Sequence, residues 1–342
     1  MPTPVKPNEV DGRVEVARRP RAWLPWVVAA LAVLLLFEGG ARLVEATDPP
    51  IVDWYDAATH QRVAMMDNRS ADGVETAVVF AGTSMPWQDF VPEVFTTTDE
   101  ASRTAFNTGL AGADTVVWGL SSLDFAPNYG ATQLDAYETA KQTRTGVLAT
   151  ADRMFSRFSA LIRMRNLMRR PSELVGAGAD DTRADIAEAA RITGTDGERL
   201  DFDEDLGSQR EAIMKARLKG YDVADPDDIA ALRDAVTELR ARGVDVIFVA
   251  MPVPPRFVDL HPEGGGIELT TSTIAALGGE LGVDVVDVHD RYIDDDFVDY
   301  THLDQPAAAD LTAAVARALD QRDSITVGSC SVFGDVRVCR NR

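Results

Sequence analysis

The chain has 342 residues, 45% hydrophobic and 26% charged, a balance that indicates a folded protein of one large or two ordinary domains. Its 55 acidic against 34 basic residues give a net charge of -21. That excess argues against a nucleic-acid partner, because phosphate recognition needs a basic surface, and it reads as a heavily solvated exterior.

Residues 1–21 are basic, with Lys6, Arg13, Arg18, Arg19 and Arg21, and read as a cytoplasmic N-terminus. An uncharged apolar run, 22–37, follows. Residues 22–44 are expected to form a transmembrane anchor, with Glu38 to Arg42 extending the helix and Arg42 snorkelling to the interface. Positive charge before the run places the remainder outside the cytosol. A cleaved signal peptide is the alternative, with Val44-Glu45-Ala46 as its cleavage site, although Glu38 and Arg42 interrupt the approach to that site. Residues 45–72 are polar, contain Asp and Pro, and read as a stalk.

Residues 73–325 carry the alternation of an α/β domain. Residues 75–82 read as a buried strand, a short strand is expected near 104–107, and another at the start of 115–125. The region of about 150–215 reads as a helical, flexible insertion. Within it, residues 152–170 combine apolar side chains with arginines. This segment suits either an interfacial helix on anionic lipid or an amphipathic helix packed on the core. Farther on, Asp225 and Pro226 mark a helix start that Gly243 ends. Strands at 244–251 and 283–288 bracket a helix near 271–281, and residues 305–321 form the last clear helix. Nearly all-apolar strands alternating with helices indicate a mostly parallel sheet covered on both faces.

The tail, 326–342, holds both cysteines, Cys330 and Cys339. Gly334-Asp335 is a turn signal between two short strands, so the sulfurs can meet across a hairpin. A disulfide suits an extracytoplasmic tail and free thiols suit a cytosolic one.

In open α/β sheets ligands bind beyond the carboxyl ends of the strands. Ser84 stands there, two residues after Gly82, where a helix is expected to begin near Pro86 and backbone N–H groups can face an oxyanion. A nucleophilic serine needs a base held in one tautomer. Asp299 and His302, three residues apart just before the last helix, present a carboxylate and an imidazole from one loop. His289 is a weaker competitor, lacking a spaced acidic partner, and His261 lies on a turn bordering the cleft. The aspartates at 290–304 lack the spacing of a calcium loop and read as an acidic exposed loop. Trp87, Asn107 and Trp118 are the expected ligand contacts.

Ser84 in Gly-Thr-Ser-Met, Gly109 in Asn-Thr-Gly-Leu and the Asp299–His302 pair resemble, in order and loop position, the SGNH/GDSL hydrolase superfamily over roughly residues 75–320. The likeness is to membrane-anchored members that act on envelope polysaccharides, as in alginate O-acetylation and teichoic-acid D-alanylation. The resemblance implies a flavodoxin-like three-layer sandwich with Ser84 as nucleophile, His302 as general base and Asp299 as its partner. It implies an oxyanion hole formed by the Ser84 and Gly109 N–H groups, and no metal or organic cofactor. Two features depart from the pattern: Thr83 replaces the usual Asp, and Ser121 stands where an Asn normally supplies an oxyanion donor. Asn107 is a candidate to compensate. Only about seven residues separate the strands near 107 and 115, whereas a parallel crossover normally takes a dozen or more.

The expectation is therefore an extracytoplasmic serine esterase or O-acyltransferase on an acylated envelope glycan or small ester, bound to the membrane and supplied, if a transferase, by a membrane acyl-donor protein. The alternatives are a catalytically silent glycan-binding scaffold and a lipid esterase.

Overall fold

The computed structural model describes residues 24–45, 76–82, 84–107, 114–126, 177–194, 207–219, 226–261 and 266–341, with isolated positions between them. Residues 1–23, Thr83, Gly109, Asp225, most of 45–72 and most of the 150–215 region, 152–170 included apart from Ser159, lie outside the described residues.

Helix α1, Leu24–Glu45, runs through the Glu38-Gly39-Gly40 interruption without breaking. Arg42 Nε lies 2.8 Å from Glu38 Oε1, one helical turn away, so the two charges near its end neutralise each other. The apolar span, Pro25–Leu43, has a mean hydropathy of 1.8 and is long enough to cross a membrane.

Seven strands form one mixed sheet in the order β2-β1-β3-β4-β5-β7-β6. Strands β1 (Val78–Ala81), β2 (Ala105–Asn107), β3 (Thr115–Leu120), β4 (Asp245–Ala250) and β5 (Asp284–Asp287) are parallel. Their order, 2-1-3-4-5, is that of flavodoxin-like doubly wound sheets. These strands are almost wholly buried: their centres are apolar, mostly β-branched or aromatic residues covered by helices, with polar residues such as Asp284 and Asn107 at strand ends. Helices α2 (Ser84–Asp89), α3 (Pro92–Thr98) and α9 (Gln305–Gln321) pack together on one face. Helices α6 (Pro226–Ala241) and α8 (Gly266–Leu281) cover the other. Alternation along β3 separates the layers: a Cβ on Gly119 would meet Pro86 of α2, while Leu120 lines a pocket with Ile267 and Ile274 of α8.

The short link between β2 and β3 has a geometric explanation. The strands flank β1 rather than each other, and Asn107 pairs with Phe80 while Thr115 pairs with Val78. Asn107 and Thr115 therefore stand two strand spacings and two residues apart, about 12 Å in all, a distance that seven residues can span without a crossover helix.

Within the segment read as an insertion, Ala177–Ile192 (α4) and Gly207–Arg217 (α5) are helical. Met214 of α5, followed by Leu218 and Tyr221, is buried in the main core. The segment read as a tail completes the sheet. Strands β6 (Ser329–Phe333) and β7 (Val336–Arg340) turn at Gly334, whose φ of +65° suits glycine. Cys330 and Cys339 stand opposite each other and are joined by a disulfide. Strand β7 pairs antiparallel with β5, setting Arg337 across from Asp287.

Candidate active site

Residues 297–303 form a tight loop closed by a bridge between Phe297 and Leu303 and by the Val298 N–H on the His302 carbonyl at 3.0 Å. Asp299 organises it from within. One carboxylate oxygen accepts the backbone N–H groups of Thr301 (2.7 Å) and His302 (2.9 Å); the other lies 2.8 Å from His302 Nδ1. A carboxylate that accepts two amides and an imidazole is satisfied despite burial, and Asp299 is 2% exposed. Because the carboxylate accepts, Nδ1 carries the proton and Nε2 is left as the basic nitrogen. Arg256, on the short helix α7 (Pro255–Val258), donates from Nη2 to the carbonyls of Asp299 (2.7 Å) and Phe297 (3.2 Å). Its guanidinium also stands 5.5 Å from the Tyr300 ring centre. Asp304 then caps α9, accepting the Ala307 N–H at 2.8 Å.

Ser84 opens α2 directly beyond β1, at the point where the strand order reverses; its side chain lies outside the described residues. The turn into α2 is forced. Gly82 has φ of +138°, and a Cβ there would lie 2.6 Å from both the Gly119 carbonyl and Pro86 Cγ. Gly119 is equally crowded, with Pro86 Cγ at 2.4 Å and Met251 Sδ at 2.7 Å from a Cβ built on it. Pro86 therefore seats α2 on two glycines at the strand ends. At the other end of α2, fully buried Asp89 accepts the Leu303 N–H at 3.0 Å. Helix α2 and the His302 loop are thus fastened together, five residues after Ser84 and one after His302. Burial pushes the Asp89 carboxyl well above its usual range, opposed by that N–H bond.

The remaining expected site residues are placed differently. The Asn107 amide is not directed at a ligand: buried Nδ2 donates to the carbonyls of Pro86 (2.9 Å), Trp87 (2.8 Å) and Phe90 (3.0 Å), capping the end of α2. It is therefore no substitute oxyanion donor. Ser121 is likewise committed, its hydroxyl donating to Asp124 Oδ2 at 2.9 Å and its N–H to the same oxygen at 2.7 Å. Burial, reinforced by the nearby Asp228, pushes the Asp124 carboxyl up to about 7 against these two bonds. Trp118 faces away from α2, since its neighbour Gly119 faces Pro86. Trp87, on α2 itself, carries the Arg62 guanidinium 4.3 Å above its ring. Gly109 lies outside the described residues.

Two histidine contacts go beyond the sequence reading. His289 does have an acidic partner: its Nδ1 lies 2.7 Å from Asp287 Oδ1. The signal was the two-residue spacing, which sets both side chains on one side of an extended chain. The Asp287 bond raises the His289 pKa, and His289 in turn holds Asp287 low despite its burial. His261 Nε2 lies 2.9 Å from Ser122 Oγ and its Nδ1 lies 3.2 Å from the Phe257 carbonyl. The carbonyl can only accept, so Nδ1 donates and Nε2 accepts the Ser122 hydroxyl proton. Burial lowers the His261 pKa and keeps the ring neutral. Ser122 and His289 line one small pocket with Leu120, Met251, Thr270 and Ile274 beyond the ends of β3–β5. Among the described residues no group of three His, Cys, Asp or Glu is arranged to hold a metal ion. Asp294 and Asp296 instead accept the backbone N–H groups of Arg256 and Ile293.

No protein-family model matches the sequence, and no curated protein matches it.

Proposed function

We propose that the chain is a membrane-anchored serine acyl-transfer enzyme of the SGNH type, acting outside the cytosol on an acylated envelope glycan. The observation that carries this reading is the buried Asp299–His302 pair, fastened through Leu303 and Asp89 to the helix that opens at Ser84. His302 Nε2 takes the Ser84 hydroxyl proton as Oγ attacks the ester carbonyl carbon. The Ser84 and Gly109 N–H groups stabilise the oxyanion. His302 then returns the proton to the departing alkoxide, leaving an acyl-serine. Water attacking that ester makes the protein an esterase; a sugar hydroxyl makes it an O-acyltransferase, with the acyl group supplied by a membrane acyl-donor protein. The glycan assignment rests on the anchor and on the relatives the motifs resemble. The basic residues before α1 support a cytoplasmic N-terminus.

A second reading assigns the nucleophile to Ser122, because its hydroxyl is already hydrogen-bonded to a neutral, oriented His261. Ser122 is fully buried, so this reading requires the pocket to open. A fluorophosphonate probe separates the two. Labelling abolished by Ser84→Ala and retained by Ser122→Ala is the expected result. The reverse pattern transfers the assignment to Ser122, and no labelling of the folded chain leaves a binding scaffold. Activity on acetylated sugars rather than long-chain esters then supports the glycan assignment. A reporter fused after Arg342 is expected to be active only outside the cytosol.

A further inference from the structure

A fully buried carboxyl held by a single N–H bond costs a fold free energy. Asp89 is such a group: Oδ1 accepts the Leu303 N–H at 3.0 Å, and Oδ2 has no hydrogen-bond partner among the described residues. Packing of α2 against α9 does not explain it, because Thr312 of α9 already fastens that junction. Its hydroxyl accepts the Val91 N–H, two residues past the end of α2, at 3.0 Å and donates to the Ala308 carbonyl of its own helix at 2.8 Å. The Asp89 side chain points elsewhere, to the residue that follows His302.

We infer that Asp89 is a positioning residue for His302: its carboxyl oxygen holds the Leu303 N–H and so sets the imidazole-bearing loop against the helix that opens at Ser84. The inference rests on the serine–histidine reading for its catalytic consequence, though the placement of His302 can be measured separately. Two segments more than 200 residues apart meet at this bond, whose partners are 214 positions apart. An error of about 1 Å in the base can cost about 10²-fold in rate. Burial pushes the carboxyl toward its neutral form, and the oxygen that accepts the Leu303 N–H is one that an asparagine amide also presents.

The test uses the full chain in detergent with ¹⁵N-labelled histidine. It follows the His302 Nδ1–H resonance, the rate of fluorophosphonate labelling and the melting temperature. Asp89→Asn is expected to keep the resonance and to label within about threefold of wild type. Asp89→Ala and Asp89→Leu, which remove the acceptor, are expected to broaden or lose the resonance and to label about 10²-fold more slowly. Thr312→Val is expected to lower the melting temperature and leave labelling unchanged. Three results overturn the inference: Ala and Leu variants that keep the resonance and rate; a Thr312→Val variant slowed as much as they are; or failure of both Asp89→Ala and Asp89→Leu to fold while Thr312→Val folds, which would make the bond a prop of the fold alone. A wild-type chain that is never labelled, but whose His302 resonance still depends on Asp89, leaves the positioning intact and removes the serine-enzyme reading.

Discussion

His302 Nδ1 and Asp299 Oδ2 stand 2.8 Å apart in a loop where the two residues are 8% and 2% exposed. Asp299 also holds the two amides of its own turn, so removing its charge need not unfold the loop. Asp299→Asn keeps one acceptor but offers Nδ1 a donor or a weaker partner, which favours the wrong tautomer of His302. The expected outcome is a folded protein whose probe-labelling rate falls by roughly 10²–10⁴. Circular dichroism alongside the labelling assay checks it. Normal labelling of this variant would remove Asp299 from the machinery.

Seating α2 on glycines makes its position sensitive to one methyl group. In Gly119→Ala the new Cβ lies 2.4 Å from Pro86 Cγ and 2.7 Å from Met251 Sδ. The ring cannot fold away as a thioether can, so α2 must shift. Overpacking of this kind costs about 1–3 kcal/mol. Slower labelling should accompany the lower melting temperature, since Ser84 moves with the helix. Pro86→Ala in the same chain removes the colliding ring carbon and is expected to restore part of both. A double variant no better than Gly119→Ala would place the strain elsewhere.

Asp124 gives a pH signature opposite to that of a paired surface acid. Burial above all raises its folded pKa from the usual carboxylate value of 3.8 to about 7. The native state therefore holds the proton more tightly than the unfolded chain, and this residue's share of stability falls as pH rises from about 4 to about 7. Asp124→Asn retains an oxygen for the two Ser121 bonds and loses the titration. The variant is expected to match wild type near pH 4 and to be more stable near pH 8, by on the order of 1 kcal/mol or more. Melting curves at the two pH values decide it; equal slopes with pH in the two proteins would be the contrary result.

Much of this architecture is written in local sequence. Strands β1, β3, β4 and β5 announce themselves as short apolar runs, and α9 covers the 305–321 span expected of the last helix. The Asp299–His302 contact follows from a three-residue spacing in a loop. What could not be read locally depends on partners remote in the chain. The brevity of the β2–β3 link is intelligible only once β2 is known to lie outside β1. Asn107 and Ser121 carry side chains suited to an oxyanion hole, yet packing turns the first onto α2 carbonyls and binds the second to Asp124. Ser122 and His261 are 139 positions apart, and no pattern in either segment names the other.

The Asp287–His289 pair, partly exposed beside the Ser122 pocket, is expected to contribute to stability rather than to chemistry at Ser84. Its pH window follows from the two shifts. The His289 pKa is raised above the ordinary imidazole value of 6.5, first by the Asp287 bond, so its contribution is complete below about 6.5 and disappears as pH climbs through the raised value. Asp287 is lowered from 3.8 because the His289 bond and charge outweigh its burial; its contribution is complete above about 4 and fades as pH falls through the lowered value. Between these limits both charges are present, and Arg337, opposite Asp287 on β7, adds to the same balance. His289→Gln is accordingly expected to cost about 1 kcal/mol near pH 5.5, with the deficit shrinking toward pH 9. Labelling at Ser84 should proceed at the wild-type rate. Chemical denaturation across that pH range measures the first expectation and the probe the second. A variant that is equally stable at pH 5.5 but unreactive would move His289 from the fold's ledger into the active site.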